Sequence, residues 1–460
     1  PVIAHNMAGY DIHHICATIN KCNPKNTFSV IPTTDEKYIS FSFSVWVNSF
    51  VDKNEVVKNV YEEMRFLDSF KFMPQSLDKL ASFLPKDKFI YLESQFHTHK
   101  TPTQINLLKR KGVYPYSYMD SFDKFSEDKL PPKEFWKNTL EGGEISITDS
   151  DLQHANLVFQ EYDCKTLGDY HDLYLHTDVL ILASIFEEFR KVCHATYGLD
   201  CAHFYTASNL SGEAFLKVCN ADIELLTDRE HLEIAENLIR GGISSVFAKR
   251  KFEANNKYLP THNPSQQQTF GFFIDANNLY GGIMEKFPLP LKNFVLKKEG
   301  EFDLKEILNT ANDSPIGYVL EVDLHYPDHL HDSHADFPLA PTKESINIFW
   351  LGEYQNKMLE MNGTRTFSTK NKKLIQTLYD KTNYTLHYLT LKLYCELGLE
   401  VTKVHRVLQF EQSKWLQPYI QLNTMKRKAS SNKFEENFYR LMSNSGFETT
   451  MEWKRKTSDC

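Results

Sequence analysis

The sequence predicts a chain that mixes α/β and α+β domains, because helix patterns and strand patterns alternate along its 460 residues. Hydrophobic residues make up 41% of the chain and charged residues 24%, which is typical of a globular protein. The length allows roughly two to four domains of about 100–200 residues each. No stretch approaches the roughly 18 unbroken apolar residues of a membrane span, so we expect no membrane partner.

Two helical regions and one boundary are predicted. The segment 153–193 carries apolar residues at helical spacing. Near the C-terminus, Asn432 followed by Glu435 is typical of a helix N-cap. The segment 253–268 is rich in Asn, Gln and Pro, which favours a loop or a domain boundary.

Three strands are predicted by short apolar runs. The run 269–274 directly follows the Asn-rich segment and predicts a buried strand. A second strand is predicted at 316–324 and a third at 384–389.

Charge and cysteine usage exclude some classes of protein. The net charge is −8, which is unusual for a nucleic-acid enzyme, but phosphate binding depends on local rather than total charge. None of the eight cysteines forms a CxxC pair, which argues against a zinc site. Their spread along the chain is typical of reduced intracellular thiols.

A first group of side chains suits a metal-dependent nuclease. The short apolar run 2–4 predicts the end of a strand, so we expect the Asp11 carboxylate to lie just beyond that strand. Tyr174 and Asp178 are four residues apart on the predicted helix and therefore share one face. Carboxylates can hold divalent ions that activate water, and a tyrosine hydroxyl can orient that water. Each pair taken alone is more typical of an ordinary turn or a helix surface.

A second group suits nucleotidyl transfer. Asp275 ends the apolar run 269–274, and Tyr280 comes five residues later. A carboxylate there can hold Mg²⁺ against a nucleoside triphosphate. An aromatic ring beneath the incoming sugar would clash with a 2′-hydroxyl and so select deoxyribose.

A third group suits phosphate binding. Arg440 and Asn444 lie four residues apart on a predicted helix, and Arg427 and Lys428 precede them. A guanidinium can bind phosphate oxygens bidentately. The alternative is an amphipathic helix on which Arg440 is merely solvated.

In order along the chain, these segments resemble the motifs of family B DNA polymerases, closest to the protein-primed branch of phages, organellar plasmids and Polinton/Maverick transposons. His5-Asn6 with Tyr10-Asp11 is similar to the second exonuclease motif, and Tyr174 with Asp178 to the third. The segment 275–280 resembles polymerase motif A, and 440–447 resembles motif B. Further stretches that resemble the transposon branch are 111–116, 130–132, 240–244, 338–341, 403–407 and 415–420.

The resemblance implies an RNase H-like 3′→5′ exonuclease domain, N-terminally truncated, followed by a polymerase palm and fingers, C-terminally truncated. The implied segments are an exonuclease domain at 1–195, a connecting region at 196–265, a palm at 266–410 and fingers helices at 411–460. The palm would hold an insertion of the protein-primed type at about 290–394.

The resemblance also implies site residues and ligands. Asp275, Asp11 and Asp178 would bind Mg²⁺ or Mn²⁺ in two-metal sites. Primer-template DNA would be contacted by the residues Asn6, Arg240, Gly241, Gly242 and Ser445. The expected partners are that DNA, dNTPs and a terminal priming protein, in the nucleus if the gene derives from a transposon.

The chain departs from the family pattern at four points. The first exonuclease motif and motif C are not found, so we expect this fragment alone to be inactive and to bind DNA or nucleotide weakly. Arg440 stands in place of the family's lysine, and Glu448 in place of its glycine. An inactive or domesticated relic that binds nucleic acid is therefore the alternative. A nuclease alone would leave Asp275 and Tyr280 unexplained.

Overall fold

The computed structural model describes residues 1–19, 21, 27–34, 37–137, 147–244, 252–361 and 372–451. The chain divides into two compact units. Unit 1 comprises Pro1–Asn220 and Pro418–Thr450, and unit 2 is built on Ala221–Gln417. The four functional segments implied by the family resemblance follow different boundaries, and they stay a prediction.

Unit 1 contains a four-stranded sheet of order β1-β4-β3-β2. Its strands are β1 (Val2–Ala4), β2 (Thr27–Thr34), β3 (Lys37–Val51) and β4 (Val57–Asp68). Strand β1 runs parallel to β4, and the other pairs are antiparallel. Alternate residues of β3, Phe41 and Phe43, are buried against Phe66, Met7 and Ile12. The period of two therefore places one face of this sheet in the core.

Helices make up the rest of unit 1. They are α1 (Asp11–Ile19), α2 (Leu77–Phe83), α3 (Ile90–Phe96), α4 (Pro102–Leu108), α5 (Asp149–Glu161), α6 (Leu167–Tyr197), α7 (Ala207–Cys219), α14 (Gln417–Ala429) and α15 (Lys433–Thr450). Helix α6 begins at a capping box of Thr166 and Asp169 and ends at Gly198, whose φ is +65°. The prediction of helix over 153–193 is confirmed, with a break between α5 and α6.

Helix α15 begins where the sequence predicts. The Asn432 side chain accepts a hydrogen bond from the Glu435 backbone N–H at 2.9 Å, so the predicted N-cap is confirmed. The helix packs closely on α7 at Gly446, where an added Cβ would lie 3.2 Å from Ser211 Oγ. The Ser211 hydroxyl donates to the Met442 carbonyl at 2.8 Å. Close approach and hydrogen bonding together fix α15 on α7.

Unit 2 contains an antiparallel sheet of order β5-β10-β6-β9. Its strands are β5 (Leu289–Lys298), β6 (Ile316–His325), β9 (Lys381–His387) and β10 (Glu400–Ser413), and β7 (Thr342–Glu344) with β8 (Lys373–Ile375) forms a separate pair. The helices of this unit are α8 (Arg229–Leu238), α9 (Leu279–Lys286), α10 (Leu304–Asn309), α11 (His331–His334), α12 (Glu353–Met361) and α13 (Tyr388–Glu396). Both faces of β6 are covered, because Leu320 and Val322 pack with Leu391 while Val319 packs with Ile234 of α8.

The strand predictions have mixed outcomes. The strand at 316–324 is confirmed as β6, and the part 384–387 of the strand predicted at 384–389 belongs to β9, because α13 begins at Tyr388. The buried strand at 269–274 is wrong: Phe272, Phe273 and Ile274 are 86%, 96% and 88% exposed and form no regular element. A strand needs a hydrogen-bonding partner, and an apolar run does not supply one.

The predicted loop at 253–268 contains no helix or strand, which confirms that prediction. Within the described part of the chain, we find no helix with the length and apolar character needed to cross a membrane.

Candidate functional site

Helix α6 of unit 1 presents Tyr174 and Asp178 one turn apart, and the Lys111 ammonium donates hydrogen bonds to both. The side chains of Lys111 and Asp178 are 23% and 19% exposed, so the ion pair is largely shielded from water. Lys111 contacts Oδ2 of the carboxylate. The other oxygen, Oδ1, is buried and has no hydrogen-bond partner among the described residues. One oxygen of the carboxylate is therefore left without a partner of its own within the described chain.

Aromatic residues surround the Tyr174 hydroxyl. That hydroxyl lies 2.6 Å from the Tyr116 hydroxyl, and the Tyr114 ring stacks on Tyr174 with centroids 4.9 Å apart. Burial, followed by the charge of Asp178, raises the pKa of Tyr174 well above its usual range, so this hydroxyl stays protonated at neutral pH. Gly112 lets the backbone approach the Tyr174 ring closely, since an added Cβ would lie 3.0 Å from that ring.

The turn from Asn6 to Asp11 is held by a buried carboxylate. Asp68, 1% exposed, accepts hydrogen bonds from the backbone N–H groups of Asn6 at 2.7 Å and Ala8 at 3.3 Å. Asn6 has a φ of +61°, a conformation that Asn tolerates well. Asp11 is the first residue of α1 and its side chain is exposed. Both predicted residues are therefore accessible to a ligand.

Metal ligands are sparse around these carboxylates. In the part of the chain that the structure describes, no group of three or more His, Cys, Asp or Glu side chains could hold a metal ion. Neither Asp11 nor Asp178 therefore belongs to such a group. The orphan oxygen of Asp178 still fits the donor chemistry of Mg²⁺ or Mn²⁺.

In unit 2, Asp275 lies in an exposed irregular segment just before α9. Asn278, with a φ of +54°, begins that helix, and Tyr280 is its second residue and is 50% exposed. Gly281 permits this turn, because an added Cβ would lie 2.4 Å from the Asn278 side chain. Asp275 and Tyr280 are thus both accessible, on either side of one tight turn.

In the segment 240–242, an arginine that stacks on an aromatic ring is followed by two exposed glycines. The Arg240 guanidinium lies 4.0 Å from the centroid of the Tyr384 ring, and burial lowers its pKa. Gly241 and Gly242 are exposed, and an added Cβ at either would meet no heavy atom within 4 Å. Neither glycine has a positive φ, so neither packing nor backbone conformation within the described chain requires a glycine there. The backbone at this point is open to an external group.

Helix α15 of unit 1 exposes Arg440 and Asn444 on one face. Within the described ranges Arg440 makes no ion pair, and both side chains line a cavity of about 310 Å³. Arg427 of α14 lies 3.7 Å from Glu436, and Lys428 is exposed.

Ser445 does not face solvent. It is 2% exposed, and in this conformation its hydroxyl is not available for the predicted DNA contact. Ser445 lies on the side of α15 that packs on α7, and for this reason it is buried although its neighbour Asn444 is exposed.

A model of the family described as DNA polymerase type B, organellar and viral, matches residues 1–447. The chain belongs to this family. The resemblance to family B polymerases inferred from the sequence motifs is thereby confirmed.

Solved structures of Phi29 DNA polymerase are similar to this type B polymerase chain in fold. The complex with primer-template DNA and incoming nucleotide substrates has a TM-score of 0.51 and 14% identity over 97% of this chain and 59% of that chain. The binary complex with primer-template DNA has a TM-score of 0.49 and 13% identity over 98% of this chain and 59% of that chain. The chain therefore spans 59% of the length of these polymerases. None of the curated proteins compared with the chain matches it.

The predicted fold class, with exonuclease and polymerase regions of mixed α/β structure, is confirmed by the family model and the shared fold. The roles of the individual site residues stay predictions.

Lys111 is not among the site residues predicted from the sequence, yet it contacts both Tyr174 and Asp178. The segment 111–116 resembles the transposon branch, but that resemblance assigns no role to Lys111. The Lys111 contacts span 63 and 67 residues of chain, so no local spacing could reveal them. A lysine followed by glycine and two tyrosines was the available signal.

Glu448 also has a definite environment in this polymerase chain. Its carboxylate accepts a hydrogen bond from the Ser208 hydroxyl of α7 at 3.1 Å. Glu448 therefore adds a contact between α7 and α15.

Proposed function

We propose that this chain supplies the exonuclease region and part of the polymerase region of a DNA-directed DNA polymerase, which extends a primer with dNTPs by two-metal nucleotidyl transfer. The family match over residues 1–447 carries this proposal. The similar Phi29 polymerase is known in complex with primer-template DNA and incoming nucleotides, which supports the same ligands for this chain.

Asp275 is the proposed metal ligand of the polymerase reaction. Its exposed carboxylate suits Mg²⁺ or Mn²⁺, which would supply charge neutralisation at the transferred phosphoryl group. Tyr280, on the other side of the turn, would contact the sugar of the incoming nucleotide and exclude a 2′-hydroxyl.

Cationic and open backbone groups would hold the phosphates. Arg440, Asn444, Arg427 and Lys428 are proposed for the incoming triphosphate, since Arg440 is exposed and unpaired within the described ranges. The exposed peptide groups of 241–242 are proposed to contact the DNA backbone, because they accept close approach without a side chain in the way.

The 3′→5′ exonuclease reaction is proposed for the Asp178 site. Asp178 and Asp11 would hold the divalent ions. The Tyr174 hydroxyl, kept protonated by burial, would donate a hydrogen bond that orients the attacking water. Lys111 would keep the carboxylate and the hydroxyl in place when the ions are absent. Asn6, accessible beside Asp11, is proposed to contact the frayed primer strand.

Primer extension tests the polymerase proposal. In any form of the protein that extends primers, Asp275→Asn should lower the extension rate by several orders of magnitude, because one metal ligand is lost. Asp328→Asn is the matched control, since Asp328 is a fully exposed aspartate of the same unit. An Asp275→Asn variant that extends primers as fast as the control would remove Asp275 from the site. For the 460-residue chain itself we expect no robust extension.

A nucleic-acid-binding relic is the second candidate function. Arg440 and Glu448, at positions where the family has lysine and glycine, favour it. Primer-template binding by the protein without extension, in Mg²⁺ and in Mn²⁺, would support the relic over the enzyme.

A further inference from the structure

Helix α8 of unit 2 leads directly into the exposed glycines Gly241 and Gly242. The helix is fixed on the sheet by Ile234, which is fully buried and packs with Val319 of β6. At Ile239 the helix gives way to extended backbone, with a φ of −69° and a ψ of 115°. The contacts made between the end of α8 and the two glycines therefore determine where the glycine peptide groups lie.

A lysine holds the first residue after α8. The Lys343 ammonium donates a hydrogen bond to the Ile239 carbonyl at 3.2 Å. Carbonyl groups at the C-terminus of a helix lack partners within the helix, and a lysine side chain is a favourable donor to them. Because Lys343 lies on β7, this hydrogen bond connects the segment to a second element of unit 2.

Arg240, the next residue, is held by an aromatic ring. Its guanidinium lies 4.0 Å from the centroid of the Tyr384 ring. Planar guanidinium groups stack on aromatic faces, and the attraction is stronger when the pair is shielded from water. Arg240 is half-buried, and its Nη1 also donates to the Leu238 carbonyl at 3.4 Å. The side chain is therefore directed at unit 2 and does not extend into solvent.

The Tyr384 ring is a rigid support for this arginine. Tyr384 lies on β9, is 5% exposed and belongs to the same core cluster as Leu320 and Val322. Its hydroxyl donates to the Pro341 carbonyl at 3.2 Å, so both the ring and its polar end have partners. A ring packed in this way loses little further freedom when a ligand binds, and the arginine stacked on it is ordered in advance.

We propose that Arg240 and Tyr384 form an anchor that positions the peptide groups of Gly241 and Gly242 for the DNA backbone, and that Arg240 is a positioning residue instead of a phosphate ligand. The proposal rests on the proposed function, in which these peptide groups contact DNA. It gives Arg240 a role other than the DNA contact implied by the family resemblance. Ordering a loop on binding costs conformational entropy, and an anchor that orders the loop beforehand reduces that cost.

Limited trypsin digestion of the 460-residue chain tests the anchor without DNA. Trypsin cleaves after an arginine whose side chain enters its specificity pocket, so Arg240 must leave the Tyr384 ring before the bond to Gly241 is cut. Tyr384→Leu should raise the rate of this cleavage about tenfold, the factor expected when the stacking of a shielded pair is lost. Mass spectrometry follows the fragment that begins at Gly241.

Tyr384→Phe is the matched control for the digestion. It keeps the ring and loses only the hydroxyl, so cleavage after Arg240 should stay as slow as in wild type. Cleavage after Lys53, an exposed residue of unit 1, should be equally fast in all three proteins and reports the activity of the protease.

Fluorescence anisotropy with a labelled primer–template duplex tests what the anchor does for binding. Tyr384→Leu and Arg240→Gln should each raise the Kd about tenfold, and the double variant should raise it no further, because both changes break the same contact. The slope of log Kd against log salt should stay that of wild type, whereas loss of a direct phosphate contact would lower it by about one. Arg229→Gln removes an exposed charge at the other end of α8 and should leave the Kd unchanged.

Melting temperatures separate binding from folding. Arg240 is half-buried in a segment outside the helices and strands, so Arg240→Gln should keep the wild-type midpoint and give a reading even if Tyr384→Leu unfolds. A residue with only a structural role would not change the Kd at an unchanged midpoint.

The outcomes are distinct. Equally fast cleavage after Arg240 in wild type and Tyr384→Leu overturns the anchor. A lower salt slope in Arg240→Gln, with wild-type affinity in Tyr384→Leu, makes Arg240 a phosphate ligand; this also overturns the anchor but leaves the DNA contact of the segment intact. If the wild-type chain does not bind the duplex, the DNA contact proposed for 241–242 fails together with the positioning role, even where trypsin finds Arg240 held.

Discussion

Lys111→Met should destabilise unit 1, because it removes the cation that neutralises Asp178. For unit charges about 4 Å apart at an effective dielectric constant near 20, the attraction is about 4 kcal/mol. The two side chains are 23% and 19% exposed, so when the lysine is lost, hydration of the Asp178 carboxylate offsets part of this lost attraction. Exposed pairs contribute about 0–1 kcal/mol, whereas breaking a fully buried pair costs about 3–5 kcal/mol. We therefore expect a loss of about 1–3 kcal/mol.

Thermal melting monitored by tyrosine and tryptophan fluorescence measures this loss. For a unit of this size about 1 kcal/mol corresponds to about 2–4 °C, so the midpoint should fall by about 2–12 °C. Lys165→Met is the matched control, because the Lys165–Asp163 pair is 73% and 77% exposed and its loss should shift the midpoint by less than about 2 °C.

Divalent ions should rescue the variant. With Lys111 removed, Oδ2 of Asp178 loses its cation, so millimolar Mg²⁺ or Mn²⁺ should raise the melting temperature of Lys111→Met more than that of wild type. A midpoint equal to that of the Lys165→Met control, or an equal response of variant and wild type to the ions, would refute the role given to Lys111.

Four further outcomes follow from the structure. His387→Asn keeps the cap on the Leu389 backbone N–H but removes an imidazole whose pKa burial lowers to about 4. As the pH falls, histidine in the unfolded chain binds a proton before the buried His387 does, so wild-type unit 2 should lose up to about 3 kcal/mol of stability between about pH 6.5 and 4. In an acid titration of stability, the variant should lose less. Asp200→Asn should flatten the loss of unit 1 stability between about pH 4 and 2, because Arg190 lowers the Asp200 pKa to about 2 and that stabilisation disappears only as the carboxylate is protonated. Ser211→Ala should cost about 1–2 kcal/mol in urea unfolding, since it removes hydrogen bonds to the Tyr419 hydroxyl at 2.7 Å and the Met442 carbonyl at 2.8 Å, and a neutral result would contradict the packing described for α7 and α15. In any form of the protein that extends primers, Tyr280→Ala should raise ribonucleotide incorporation relative to deoxyribonucleotide incorporation, and an unchanged ratio would exclude it as the proposed sugar gate.

Local signals predicted the elements that depend on local physics. Apolar spacing over 153–193 predicted α5 and α6, and the pairing of Asn432 with Glu435 predicted the start of α15, because helix hydrogen bonds and caps lie within a few residues of each other. The strand predicted at 269–274 is wrong for the opposite reason. Its apolar residues have strand propensity, but whether they pair depends on a second segment that the run does not specify.

The family motifs identify which residues are candidates for the site, whereas side-chain burial determines which of these residues a ligand can reach. Arg440 and Asn444 are exposed one turn apart, whereas Ser445, the next residue, is buried on the side of α15 that faces α7. A motif gives the order of residue types, and only the packing of the helix gives the direction of each side chain. The same limit explains Lys111, whose contacts span 63 and 67 residues.

The two proposed metal carboxylates differ in how far their surroundings are organised. Asp178 is partly buried, is hydrogen-bonded through one oxygen and lies beside a hydroxyl that Tyr116 and Lys111 hold in place. Asp275 is exposed in an irregular segment. Because catalysis relies on groups that are already oriented when substrate binds, the side chains around Asp178 are better organised to receive an ion than those around Asp275, which needs a further element to fix its position. A ligand that orders the exposed run 272–274 beside Asp275 would therefore have a larger effect on the proposed polymerase site than on the proposed nuclease site.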